Sequence, residues 1–456
     1  MKGRELILRS LQNQTVPRPA WIPFVGVHGA KLIGISAEEY LQSTDALVAG
    51  LLRARELYRP DALPVAFDLQ MEAEVLGCRL QWGRECPPSV AHHPMEDGLS
   101  LPDLPVFDTS LGRYPIVLDS LKRLRREFAE EIALYGLVCG PFTLALHLAG
   151  NRLFLQMFDH PDYVSALIAF CASVGRKAAM AYLENGADVV AVVDPMTSQI
   201  SPEHFEGFVL PALNQIFTYI REKKGLSSLF VCGDAGRNLE IMCRSLSDNI
   251  SIDENIPLEK VRDYTRFHGK SFGGNLKLTS ALLLGDEDDC RLDAIRCIDI
   301  GGNCGFILAP GCDLPFHTPE SNLRAIAEMV HDPYRREIAK RTIIAKSQAR
   351  GAEVPLPNYA ALPFVTIDVV TLDSASCAPC QYMMEAVHHA VARADEPVRV
   401  HEHRITTREG LAMMSRLKVV SIPSICMDGE VVFSSLIPDQ KTLESAIMER
   451  SRAKGV

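Results

Sequence analysis

The sequence predicts a large (β/α)8 barrel followed by a smaller α/β domain. Three observations predict it. Eight apolar, strand-like segments separated mostly by helical stretches run between residues 17 and 308, the alternation that a closed parallel sheet with an outer ring of helices requires. Most of these segments end in an acid, a cysteine or a small-residue turn, where a strand gives way to a loop. After the turn-rich Gly351-Ala-Glu-Val-Pro-Leu-Pro-Asn the alternation of strand and helix starts again. The expected division is a barrel over 1–350, a linker over 351–361 and a second domain over 362–456. A chain of 456 residues is too long for one ordinary core, which agrees with two domains.

Taken in order, an amphipathic helix opens the chain, and Pro17-Arg-Pro-Ala-Trp-Ile-Pro-Phe-Val25 reads as a strand entered through prolines. Ser36-Ala-Glu-Glu has the pattern of a capping box and starts a helix over 37–58. The second strand, 62–67, ends at Asp68, and the turn-rich 87–105 reads as an inserted surface loop. A charged helix over 118–131 leads to the third strand, 132–138, and to Gly140-Pro-Phe-Thr143. A helix over 163–185 precedes the fourth strand, 188–193, which ends at Asp194. A helix over 201–223 then enters the fifth strand, 229–231. Strands at 249–252, 270–275 and 304–308 complete the eight, and helices at 321–330 and 334–350 close the domain.

Composition narrows the function classes. With 47% hydrophobic and 23% charged residues the chain belongs with ordered globular proteins. A formal charge of -10 supplies no general attraction to nucleic acid or to an anionic membrane, so neither is an expected partner. The first residues lack the apolar core and cleavage site of a signal peptide, and no apolar run is read as long enough to cross a bilayer. The expected location is therefore cytoplasmic. Thirteen cysteines, an odd number without disulfide-scaffold spacing, fit a reducing compartment.

Barrel chemistry gathers where strands end. The groups there are His28, Asp68, Thr143, Asp194, Cys232, Asp253, Asn275 and Cys312, from eight separate places in the chain. Asp68 and Asp194 are the candidate catalytic acids, against a plainer reading as strand-end caps or loop braces. His28, Thr143, Asp253 and Asn275 are expected to line a cofactor pocket. Ser227-Ser-Leu-Phe-Val-Cys232-Gly and Leu308-Ala-Pro-Gly-Cys312 share one plan, eighty positions apart. Two thiolates meeting at strand ends suit a soft cation such as zinc, whereas two inert core cysteines would look the same in sequence.

In the second domain Cys377-Ala-Pro-Cys380 follows a strand and opens a helix. Helix-start N–H groups favour thiolate, which makes Cys377 the expected attacking sulfur, with a lowered pKa, and Cys380 the resolving one. The competing reading is half a zinc knuckle completed by His401 and His403. The element order, Cys377-Ala-Pro-Cys380 and Ser421-Ile-Pro423-Ser together resemble the thioredoxin/glutaredoxin family over about 362–456. The resemblance implies a cis-proline at Pro423, thiol–disulfide chemistry and a disulfide partner.

The first 350 residues carry Asp68 with Glu72-Ala-Glu-Val-Leu-Gly77, Gly140-Pro-Phe-Thr143, Asp194-Pro, Val231-Cys-Gly233, Ser251-Ile-Asp253, Gly274-Asn275, Leu308-Ala-Pro-Gly-Cys312 and Thr318-Pro-Glu-Ser-Asn322. This set resembles the uroporphyrinogen decarboxylase superfamily, and more closely its corrinoid-linked methyltransferase branch. The resemblance implies methyl transfer between a small methyl donor or thiol acceptor and a methylated corrinoid, held by a partner corrinoid protein. It also implies a zinc held by a His-x-Cys motif and a distant cysteine. The cysteines fall on Cys232 and Cys312, but Phe230 stands at the histidine position and cannot donate to a metal. Asp234, Asp253, His28 and His268 are the candidate replacements. The decarboxylase activity itself is less favoured, because Ala20-Trp-Ile-Pro-Phe-Val-Gly-Val-His-Gly29 has no arginine to pair with tetrapyrrole carboxylates. A redox-linked protein that binds corrinoid, or reduces a partner through Cys377 and Cys380, is the alternative function.

Overall fold

The computed structural model describes residues 1–343, 356–375, 377–394 and 396–455. The expected end of the last barrel helix and most of the 351–361 linker fall outside the described residues. The strands, in chain order, are β1 (Ala20–Trp21), β2 (Ala62–Pro64), β3 (Arg79–Gln81), β4 (Ser89–His92), β5 (Ala133–Cys139), β6 (Val189–Val193), β7 (Leu226–Val231), β8 (Asn249–Ile252), β9 (Ser271–Leu276) and β10 (Phe306–Pro310). Eight of them form one sheet in the order β1-β10-β9-β8-β7-β6-β5-β2, and every neighbouring pair is parallel. The edges β1 and β2 meet through Asp61, whose N–H donates to the Trp21 carbonyl at 2.9 Å while its Oδ2 accepts from the Trp21 N–H at 2.9 Å. That seam bends the sheet into a barrel. Because all eight strands run the same way, their C-terminal ends share one face.

Alternation along the strands fills the interior. Ala133, Tyr135, Leu137, Val189, Ala191, Val193, Phe230, Ile307 and Ala309 belong to one buried cluster with Phe24 and Phe67. The opening helix Gly3–Leu11 adds Leu6, Ile7 and Leu11 to the same cluster, so it plugs the barrel from below. Cys232 and Cys312 pack on the cluster at its other end.

Local chemistry adjusts several expected boundaries. The 37–58 helix is two helices, Ala37–Leu41 and Thr44–Tyr58, because the Ser43 side chain accepts from the Ala46 N–H and starts a second N-terminus. The Ser36/Glu39 capping box is present on the first. The expected surface loop contributes β4, which pairs antiparallel with β3. Pro141–Ala149 is a wholly buried helix that no periodicity announced. One expectation is corrected: the helix Pro161–Glu184 is long and apolar enough to cross a membrane by length and composition. It is a barrel helix, packing Val164, Leu167, Ile168, Cys171 and Ala178 inward against β5 and β6.

The second unit has strands β11 (Val365–Thr371), β12 (Val398–Arg404), β13 (Ser424–Met427) and β14 (Glu430–Ser434), in the order β12-β11-β13-β14. β12 runs parallel to β11, whereas β13 and β14 are antiparallel to their neighbours. Asp428 and Gly429 turn the last hairpin with φ of 49° and 84°, the left-handed pair that a tight two-residue turn demands. Its core packs Val365, Ile367, Val369, Ile425 and Met427 against Met383 and Val387 of the helix Ala378–Val391 and Leu443 and Ile447 of the helix Gln440–Lys454.

Candidate active site at the barrel mouth

The two barrel cysteines converge. Cys232 follows β7 and Cys312 follows β10, and their sulfurs stand 3.0 Å apart. They lie beyond an aromatic floor in which Phe230, 1% exposed, stacks on Phe24 at 5.1 Å and meets Phe67 edge-on at 6.0 Å. Phe230 belongs to the buried interior cluster, and Cys232, the first residue after β7, packs against that cluster. The phenyl ring at 230 completes the apolar floor with Phe24 and Phe67 and brings no metal donor to it.

The loop after β8 leans on this pair. Asp253 accepts a hydrogen bond from the Gly233 N–H, immediately after Cys232, and others from the Asn255 N–H at 2.9 Å and Nδ2 at 3.0 Å. Gly311, immediately before Cys312, is bare where a Cβ would collide with Glu254 Oε2. Glu254 Oε1 accepts from the Leu278 N–H at 3.0 Å, while the shielded Oε2 has no hydrogen-bond partner among the described residues. Burial pushes Asp253 up to about 7, and burial together with the Asp253 charge pushes Glu254 up to about 8. Asn275 serves the same loop, donating to the Asp253 and Ile256 carbonyls at 3.2 and 2.8 Å.

Other expected site residues are committed to neighbours. Asp194 spends both oxygens on the start of Pro141–Ala149: Oδ1 accepts from the Thr143 N–H at 2.8 Å and hydroxyl at 2.6 Å, and Oδ2 from the Phe142 N–H at 3.1 Å. Thr143 and Asp194 thus come together as a brace between β5 and β6, and burial raises the Asp194 pKa to about 6 against those bonds. His28 is 0% exposed. Its Nδ1 lies 3.1 Å from the Phe316 carbonyl and its Nε2 2.8 Å from the Tyr58 hydroxyl, so Nδ1 carries the proton and Nε2 accepts. Burial lowers its pKa to about 4.

Asp68 pairs with Arg113, whose Nε also donates to Glu74 at 2.8 Å and whose guanidinium lies 4.8 Å over the Trp82 ring. Arg113 Nη2 is buried without an acceptor among the described residues. Neither Arg113 nor Glu254 was singled out from sequence. An arginine beside a glycine looks like any surface cation, and the only sign of Glu254 was its place after Asp253.

The donor set does not fit the zinc site that the resemblance implies. Among the described residues no group of three or more histidine, cysteine or acidic side chains comes together to hold a metal. Tetrahedral zinc with bonds near 2.3 Å spreads two sulfurs to about 3.8 Å, wider than the 3.0 Å found. Of the candidate replacements, His28 and Asp253 are engaged as described. His268 caps the end of Leu258–Phe267, which leads into the start of β9 and hence to the opposite end of the barrel.

In the second unit Cys377 is the N-cap of Ala378–Val391 and accepts from Cys380, sulfur to sulfur 2.8 Å. The Ile422–Pro423 peptide is cis. The expected lowering of the Cys377 pKa is corrected: its hydrogen bond with Cys380, then burial, push the thiol well up, outweighing the Cys380 N–H at the helix start. His403 pairs with the buried Asp368 at 2.7 Å, and Tyr359 donates to the other Asp368 oxygen at 2.8 Å, so His403 braces the sheet.

Comparison with known proteins follows the same division. The sequence pattern of the family Uroporphyrinogen decarboxylase (URO-D) matches residues 2–333, and that of the Thioredoxin domain matches residues 365–448. Methylcobamide:CoM methyltransferase MtbA of Methanosarcina acetivorans is 30% identical over 271 residues, covering 59% of this chain and 78% of that protein. Its counterpart from Methanosarcina mazei is 31% identical over the same shares. A solved methyltransferase from Methanosarcina mazei, 23% identical, superposes with a TM-score of 0.67 over 73% of this chain and 99% of its own, which establishes the shared fold. The chain therefore belongs to the uroporphyrinogen decarboxylase (URO-D) family, is homologous there to the corrinoid-dependent methylcobamide:CoM methyltransferases, an enzyme group, and carries a thioredoxin-like domain after the barrel in sequence.

Proposed function

We propose that this chain moves a methyl group between a methylated corrinoid, presented by a separate corrinoid protein, and a small molecule, with a thiol as the acceptor. The observation that carries the reading is the pairing of Cys232 with Cys312 at the C-terminal mouth of a barrel homologous to methylcobamide:CoM methyltransferases, with the unpartnered Glu254 oxygen set against Gly311, the residue before Cys312. The corrinoid is substrate and supplies an electrophilic methyl carbon. The acceptor S–H gives its proton to Glu254 Oε2, and the freed sulfur pair forms the S–CH3 bond while the old bonding pair stays with cobalt. Asp253 and Asn275 position Glu254 by fixing its loop, and the Phe24, Phe67 and Phe230 floor keeps water from the reacting carbon. Asp68 and Asp194 enter this reading as positioning acids rather than proton carriers, because each is bound to a fixed partner.

The reading includes no resident zinc, since Phe230 removes a donor and two sulfurs alone are an incomplete set. It includes the domain division at 351–361 and a reducing, cytoplasmic setting, for which the cysteine usage speaks. The test supplies the full chain with methylcobalamin and a panel of small thiols, with and without chelator. Equal loss of methylcobalamin and gain of methyl thioether, unaffected by chelator, is the expected result. Absence of any thioether, with zinc added or withheld, would refute the proposal.

The 2.8 Å Cys377–Cys380 contact favours a second activity, exchange with a disulfide on a partner protein. One sulfur attacks the partner disulfide and the other displaces the reduced partner, leaving Cys377–Cys380 oxidised. Cys380→Ser should leave a stable mixed disulfide at Cys377 that mass spectrometry identifies. If no partner is trapped although Cys377 remains alkylatable, this activity is excluded.

A further inference from the structure

The geometry points to Cys232 and Cys312 as a second thiol–disulfide exchange site, inside the barrel mouth, whose substrate is a low-molecular-weight disulfide. Four observations lead to it. The sulfurs are 3.0 Å apart although eighty residues separate them, so a bond of about 2.05 Å needs an approach of only about an ångström. They rest on strand ends over the packed aromatic floor, which holds them facing each other. Phe230 stands where the family resemblance implies a histidine ligand, and among the described residues no group of three or more histidine, cysteine or acidic side chains forms around the pair to hold a metal. Both cysteines are partly exposed, whereas Cys78, Cys139, Cys171, Cys243, Cys290 and Cys297 of the same unit are buried.

The reaction balances without a further reagent. One barrel thiolate attacks R–S–S–R, forming a protein–S–S–R bond and releasing RSH. The second barrel sulfur then attacks the protein sulfur of that mixed disulfide, closes the Cys232–Cys312 bond and releases the second RSH. The dithiol loses two electrons and two protons, which the small disulfide receives. Gly233, at φ 86° just after Cys232, holds the left-handed backbone beside the bond being made. The inference is independent of the methyl-transfer reading. If both hold, oxidation withdraws both sulfurs from the mouth, and a dithiol reductant restores them.

The experiment uses the reduced full-length protein, equilibrated with graded ratios of glutathione to glutathione disulfide, alkylated and mapped by peptide mass spectrometry. The expected product is one cross-linked peptide pair, Cys232 with Cys312, that appears and disappears reversibly with the ratio. Exposed Cys304 serves as the control for simple accessibility. Cys312→Ser should accumulate a glutathione adduct at Cys232, about tenfold above the wild type, because no resolving thiol remains. The inference is overturned if both cysteines stay alkylatable where Cys304 is modified, or if they end as two separate adducts. It is equally overturned if purified protein holds one zinc per chain that alkylation of these two residues releases. The wild-type map decides the matter even where the variant does not fold.

Discussion

Replacing Phe230 with histidine tests the reasoning about the mouth most directly. In the wild type the ring is 1% exposed, stacked 5.1 Å from Phe24 and set edge-on 6.0 Å from Phe67. Each such aromatic pair contributes about 0.5–1.5 kcal/mol beyond its buried area, part of which a smaller flat ring retains. A buried imidazole without a partner costs about 1–3 kcal/mol more. The metal-free variant should therefore be about 2–4 kcal/mol less stable than the parent. The new imidazole occupies the cluster against which Cys232 and Cys312 pack, and it is expected to make a three-donor set with them. Zinc at a thousand times its dissociation constant would return about 4 kcal/mol, enough to offset that loss. The assay is chemical unfolding with and without added zinc, paired with elemental analysis after dialysis. Expected are a stability gain on zinc addition and about one zinc per chain for Phe230→His, with neither for the wild type. A wild type that keeps stoichiometric zinc, or a folded variant that binds no more than the wild type, would refute the reasoning.

Glu254→Gln should lower thiol methylation on the order of 100-fold and flatten a pH–rate profile that otherwise rises through about 7 to 8, the range of the Asp253/Glu254 pair. Because burial lowers His28 to about 4, its neutral form is the folded one: it contributes full stability above about 6.5 and loses it as pH falls toward 4. Between pH 7.5 and 5 this amounts to about 2 kcal/mol, so His28→Gln should show an unfolding free energy that falls by about that much less over the same interval. Arg113→Met strands the buried Asp68 carboxylate and should cost about 3–5 kcal/mol in denaturant unfolding, with part recovered by adding Asp68→Asn.

Most of the architecture was legible along the chain. The eight barrel strands could be counted because apolar runs ending in acids or glycines repeat, and the second unit was marked by Cys377-Ala-Pro-Cys380 and Pro423. These signals are local: hydrophobic period, turn chemistry and helix starts act within a few residues. The break between Ala37–Leu41 and Thr44–Tyr58 was missed because capping at Ser43 competes with a continuous apolar stripe. Phe230 could be recognised as a lost donor in sequence, yet only the folded barrel shows what replaces it, an aromatic floor shared with Phe24 and Phe67.

Tertiary structure alone decided which chemistry-bearing side chains remain available. Asp194 and His28 stood out as candidates in the sequence and Glu254 did not, but hydrogen bonds from Thr143, Phe142 and Tyr58 and to Phe316 occupy the first two. Glu254 is left with an unpartnered oxygen because Gly311 makes room for it. The physical reason is range. Residue type and spacing set what an element is and which face it buries, whereas a group's protonation and freedom depend on neighbours brought in by folding from tens or hundreds of residues away.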